Sequence, residues 1–197
     1  MKKILLAALL ASGLISVQGQ SVFYSVIFDG PSESPPNASP GTGNGTVSYD
    51  PITHLLTLQA SFSGLTGTTT ASHIHAATAV AFTGNAGVAT TTPTFAGFPL
   101  GVTSGTYNNI LNLTLASSYN PSYVTAHGGT TTQAELDLTA AMAAGKAYWN
   151  IHSTTFGGGE IRGFLVAVPE PGTFALAGLG AIGMAVRVWK NRRARKA

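Results

Sequence analysis

The strongest constraint on the fold is a strict alternation of apolar and polar side chains. In residues 56–62, LTLQASF, every second side chain is apolar, and Leu111, Leu113 and Leu115 repeat the pattern. Successive side chains of a β-strand point to opposite faces, so each run predicts a strand with one buried face. Further strands are predicted around residues 22–28, 45–49, 70–76, 87–91, 104–110, 147–152 and 160–166. Turn-forming residues separate these runs, which favours an antiparallel sandwich or barrel.

One segment departs from the β pattern. Thr132 and Glu135 have the spacing of a helix capping box, and the run of Leu, Ala and Met that follows reaches Ala144 before Gly145. We therefore predict one short helix there. The stretch from Gly30 to Gly45, rich in Pro, Ser and Gly, predicts a long loop between the first two strands.

Charge is concentrated at the ends of the chain. The 197 residues carry a net charge of +3, yet residues 21–168 hold only two basic side chains, Lys146 and Arg162, and six acidic ones, a net charge of −4. The middle of the chain has no basic surface for phosphates, so nucleic acid is not an expected partner. The chain has no cysteine, which excludes disulfides and thiolate metal sites.

The first residues have the order of a secretory signal peptide. Lys2 and Lys3 precede an apolar run, and Val17 and Gly19 place small or β-branched side chains before a cleavage point. We assign residues 1–19 as the signal peptide, to be removed by signal peptidase before Gln20. The protein is therefore expected to be exported.

The last 30 residues have a second, distinctive order. Pro169, Glu170 and Pro171 precede an apolar stretch, from which we predict a transmembrane helix at about 173–189, and an Arg-rich end follows. This order resembles the PEP-CTERM sorting signal of Gram-negative bacteria. The resemblance implies cleavage by an exosortase, transient anchoring in the inner membrane, and delivery to the cell surface or an extracellular matrix of exopolysaccharide.

Three motifs in the middle of the chain occur in a characteristic order. They are His-Ile-His at 73–75, Tyr-Trp-Asn-Ile-His at 148–152 and Gly-Gly-Glu-Ile-Arg-Gly at 158–163. Together with the opening strand and residues 33–36 they resemble the CHRD domain, with Trp149 where valine is more usual. The resemblance assigns residues 20–167 to such a domain and residues 168–197 to the sorting signal. It implies an immunoglobulin-like β-sandwich and no established catalytic activity.

The same motifs contain the candidate site residues. His73 and His75 are two apart on a predicted strand and share a face, while His152 and Glu160 could approach them from neighbouring strands. One interpretation is a hydrogen-bonded polar cluster between strands, formed by His73, His75, Asn150, His152, Glu160 and Arg162. The alternative is a copper or zinc site with His73, His75, His152 and Glu160 as ligands, similar to the His-x-His strand of copper/zinc superoxide dismutase.

Two functions follow from these interpretations. The first is a non-enzymatic module of the cell surface or biofilm matrix, with no cofactor, whose partners are exopolysaccharide or surface proteins. The second is a metal-binding or redox protein that uses the His-Ile-His strand. Glycosidase chemistry is not expected, because the six acidic side chains of the middle region are too scattered to form a catalytic pair.

Overall fold

The computed structural model describes residues 19–169, which form a β-rich domain. Eight strands are present in this range: β1 (Val22–Asp29), β2 (Thr42–Asp50), β3 (Leu55–Ser63), β4 (Thr69–His75), β5 (Gly105–Asn112), β6 (Tyr148–Ser153), β7 (Ile161–Phe164) and β8 (Val166–Val168). The prediction of a mostly β, antiparallel domain is therefore confirmed.

The strands form one curled sheet, where an immunoglobulin-like sandwich of two sheets was expected. Their order is β4-β6-β7-β1-β2-β3-β5, and β8 also pairs with β1. A single pair, Asp29 with Arg162, connects β1 to β7, whereas β1 and β2 pair over eight residues. Strands β7 and β8 both pair with the same edge of β1. Strands β4, β6 and β7 are therefore joined to β1, β2, β3 and β5 in one sheet.

The predicted alternation is visible in burial. In β3, Leu56, Leu58, Ala60 and Phe62 are buried while Gln59 and Ser61 are exposed. The pattern fails at the end of β5, since the strand stops at Asn112 and the side chain of Leu115 is exposed. The strand predicted at 87–91 is also wrong, because Val88 and Thr90 form only isolated bridges.

The described residues contain two α-helices rather than one. Helix α1 (Pro121–Ala126) was not predicted, and α2 (Thr131–Ala143) is the expected helix. Thr130 caps α2 and its side chain accepts a hydrogen bond from the N–H of Gln133, so the capping residue lies two positions before Thr132. Gly145 follows with a φ of +66°, as the predicted helix stop requires.

The predicted segments at both ends lie largely outside the described residues. These are the signal peptide, the transmembrane helix at about 173–189, and Glu170 and Pro171 of the sorting motif. Within residues 19–169, no helix is long and apolar enough to cross a membrane. Strand β8 is exposed along its length, so the chain leaves the domain at the surface on its way to Pro169.

Candidate functional site

The pairing of β4 with β6 brings three histidines to one face of the sheet. His73 lies opposite Asn150, and His152 lies opposite Ala71 in the same ladder. Alternation sends Ile74, Trp149 and Ile151 to the opposite face, where all three are fully buried in the core. The two faces of the same strands are therefore an apolar core and a histidine cluster.

Each of these imidazoles makes one hydrogen bond to a backbone carbonyl of a neighbouring loop. The distances are 2.6 Å from His73 Nε2 to Pro93 O, 2.9 Å from His75 Nδ1 to Ala86 O, and 3.0 Å from His152 Nδ1 to Gly157 O. A carbonyl oxygen can only accept, so the ring nitrogen facing it carries the hydrogen. Three loop carbonyls thus fix the tautomers of three rings.

The other nitrogen of each ring turns toward its neighbours. Nδ1 of His73 and Nε2 of both His75 and His152 are buried and have no hydrogen-bond partner. The candidate ligand atoms of the three residues lie within 4.8 Å of one another. We call His73, His75 and His152 the histidine trio. Each member of the trio thus keeps one buried ring nitrogen whose lone pair has no hydrogen-bond donor.

Burial keeps the trio uncharged. It lowers the pKa of His73 and of His152, and it lowers the pKa of His75 to about 4. The hydrogen bonds to the loop carbonyls act in the opposite direction but do not outweigh burial. At neutral pH the three side chains are therefore neutral imidazoles, the form that binds metal ions.

Arg162 and Asn150 belong to a second network beside the trio. The Arg162 guanidinium donates to the carbonyl of Ser32 and to Asn85 Oδ1, and it lies 4.5 Å from the centre of the Tyr148 ring. That ring stacks on His75 at a centroid distance of 4.7 Å. Arg162, Tyr148 and His75 thus form consecutive layers that link the two networks.

Glu33, which sequence reasoning did not assign to the site, completes this network. Its carboxylate accepts from Asn150 Nδ2 and lies 3.8 Å from Arg162 Nε, and all three side chains are buried. Burial raises the pKa of Glu33 to about 7, although the positive charge of Arg162 lowers it. Arg162 has other acceptors, so its charge is stabilised even when Glu33 is protonated.

Replacing Glu33 with Gln should change how the free energy of unfolding depends on pH. Between its ordinary pKa of 4.5 and the raised value of about 7, the native state binds a proton that the unfolded state has released. The contribution of Glu33 to stability therefore falls as the pH rises through this window, by at most about 3 kcal/mol. We expect the unfolding free energy of the wild type minus that of the variant to fall as the pH rises. Urea unfolding from pH 4.5 to 7.5 measures this difference.

The control for loss of one carboxyl group is Asp137→Asn on helix α2, where Asp137 is only partly buried and accepts a hydrogen bond from Gln133 Nε2. A difference between wild type and Glu33→Gln that stays constant across this pH range would mean that the pKa of Glu33 is the same in the native and unfolded states.

Glu160 lies apart from the histidine trio. Its Oε1 accepts from Ser39 Oγ and from the N–H of Thr66, and its Oε2 accepts from the N–H of Gly67. Burial raises its pKa, but the several hydrogen bonds together outweigh burial and lower it. Glu160 therefore holds two loops against the start of β7, and its carboxylate is not in the group of candidate ligands.

The fold and the histidine trio define a class, an all-β domain with a buried polar site at one edge of its sheet. Within that class the family is given by comparison with known families. The model for the CHRD domain matches residues 24–165, more than half of the chain, and the protein therefore belongs to the CHRD domain family. The model for the PEP-CTERM protein-sorting motif matches residues 167–193. Searches of curated proteins and of solved structures found no match.

The sorting motif has a direct implication for processing. It implies that the protein is exported, is held at the membrane during processing, and is a substrate of an exosortase. The two matches confirm the two resemblances drawn from the sequence. The role of the histidine trio is a separate question.

Proposed function

We propose that this protein is a non-enzymatic module which an exosortase releases to the cell surface or to an extracellular matrix of polysaccharide. The observation that carries the proposal is the arrangement of the two matches. The CHRD match ends at residue 165 and the sorting match begins at residue 167. The folded domain is therefore the cargo that the sorting segment delivers.

The outer face of the sheet suits a partner of neutral polysaccharide. Its exposed side chains on β2 and β3 are mostly amides and hydroxyls, among them Asn44, Thr46, Gln59 and Ser61. Together with Ser25 and Ile27 of β1 they line a shallow depression. Uncharged hydrogen-bonding groups on a broad, rigid surface match sugar hydroxyls better than charged groups would.

Replacing Pro169, Glu170 and Pro171 with alanine should keep the protein in the inner membrane of a host that has an exosortase. The wild-type protein should appear in the surface or matrix fraction, and mass spectrometry of that fraction should find no peptide that spans Phe174 to Arg187. Val166→Ala, an exposed position of β8 that precedes the residues matched by the sorting motif, serves as the control and should be released normally. Release of the triple variant, or an intact C-terminal segment in the surface fraction, would contradict the proposal.

A further inference from the structure

We propose that the histidine trio binds one divalent transition-metal ion, copper or zinc. The ligands are Nδ1 of His73 and Nε2 of His75 and His152. This inference goes beyond the proposed function and does not depend on it, since the site lies in the folded domain and not in the sorting segment. It concerns metal binding and includes no redox step.

The members of the trio do not form hydrogen bonds with one another. Each ring donates its single N–H to a loop carbonyl, so the three nitrogens that face one another are all acceptors. Acceptors cannot form hydrogen bonds with one another, and the three atoms have no other partner. The trio therefore lacks an electron-pair acceptor for these three lone pairs. A metal cation is one.

The loop carbonyls hold the histidine rings in the same way as the outer-shell partners of known metal sites. A histidine that binds a metal almost always donates its second ring N–H to a carbonyl or carboxylate, which fixes the ring orientation and makes the ligand nitrogen more basic. Pro93, Ala86 and Gly157 supply such carbonyls, one to each ring. The outer shell of a metal site is therefore complete around the trio.

The distances are compatible with metal binding after small movements. Zinc–nitrogen bonds of about 2.0–2.1 Å at tetrahedral angles place two ligand nitrogens about 3.3 Å apart. The nitrogens of the trio lie within 4.8 Å of one another. Side-chain rotations that shorten these separations by at most about 1.5 Å bring all three atoms into the first shell.

The ligand set determines the kind of metal. Three imidazoles without carboxylate or thiolate favour copper or zinc over magnesium or calcium, which prefer oxygen ligands. The Irving–Williams order predicts that copper(II) binds more tightly than zinc(II) to the same nitrogens. Three protein ligands leave a fourth position for water or another molecule, and His152 is only partly buried, so we expect that position on its side.

The test uses the chain produced with its C-terminal segment in a host that has no exosortase, without a polyhistidine tag, purified in detergent and freed of metal with a chelator. After dialysis against micromolar copper(II) or zinc(II), elemental analysis should find about one equivalent bound. The copper form should show hyperfine coupling to several nitrogen nuclei in electron paramagnetic resonance. Copper(II) should displace zinc(II) in a competition titration.

The decisive variants are His152→Asn and His127→Asn. His152 is the least buried member of the trio, and its replacement should weaken metal affinity by more than the ~10–100-fold that loss of an outer-shell partner causes. His127 lies outside the trio, at the end of α1, where it stacks on Tyr123, and its replacement should leave affinity unchanged. Circular dichroism without metal establishes that each variant is folded.

Three results would overturn the proposal. They are a wild-type protein that retains no stoichiometric metal, an unchanged affinity in folded His152→Asn, and a copper spectrum without nitrogen coupling. The spectrum is measured on the wild type, so it remains decisive if His152→Asn does not fold.

Discussion

Trp149→Ala should lower the free energy of unfolding by about 3–5 kcal/mol, the usual cost of removing a buried aromatic side chain. Trp149 is fully buried, and its ring makes edge-on contacts with Phe28, Phe95 and Tyr107. These residues come from β1, from the loop after β4 and from β5, so the indole joins distant parts of the curled sheet. Its N–H also donates to Ser72 Oγ at 2.7 Å.

Chemical unfolding of wild type and variant measures this loss. The control is Phe23→Ala, an aromatic truncation on β1 whose side chain is about half exposed, with a residue exposure of 47%. It should cost much less, because about half of the surface it removes is already in water. Equal losses in the two variants would mean that Trp149 does not organise the core.

Glu160→Gln should cost about 2–4 kcal/mol, because hydrogen bonds to a charged group contribute about 1.5–3 kcal/mol each. The carboxylate of Glu160 is fully buried and is surrounded by donors, the hydroxyl of Ser39 and the N–H groups of Thr66 and Gly67. An amide of the same size has one acceptor oxygen, and its NH₂ group would face a donor. The substitution therefore leaves polar groups unpaired without creating a cavity.

Because the pKa of Glu160 is lowered in the native state, the destabilisation by Glu160→Gln should depend on pH. The native carboxylate holds its charge to lower pH than in the unfolded chain, so its contribution is complete above the unfolded pKa and is lost as the pH falls through the folded pKa. The destabilisation by Glu160→Gln should therefore be largest at neutral pH and shrink in acid. A loss below about 0.5 kcal/mol at pH 7 would show that water replaces these contacts.

Period-two alternation made much of the fold predictable from sequence. It located β1, β3, β4 and β6 because one face of each strand is buried in a common core. Alternation could not distinguish two sheets from one curled sheet. The connection between β1 and β7 depends on the single pair of Asp29 with Arg162, which alternation does not predict. Helix α1 had a usable signal in Asn120 and Pro121, a capping residue followed by proline at the first helical position.

The candidate site was predictable only where its residues lie on strands. His73, His75 and His152 follow the alternation and meet on one face, as expected. Glu160 precedes β7 instead of lying in it, so alternation does not apply to its side chain. Glu33 and the three loop carbonyls could not be inferred, because loops that are distant in sequence bring them to the site.

The most direct test of the histidine trio is nitrogen-15 NMR of its imidazole rings in the metal-free protein at pH 7.5. We expect three neutral rings, with the hydrogen on Nε2 of His73 and on Nδ1 of His75 and His152. Added zinc should then shift the three unprotonated nitrogens, Nδ1 of His73 and Nε2 of the other two. A protonated imidazolium among the three, or the opposite tautomer in any of them, would contradict the proposal that their lone pairs converge on a metal site.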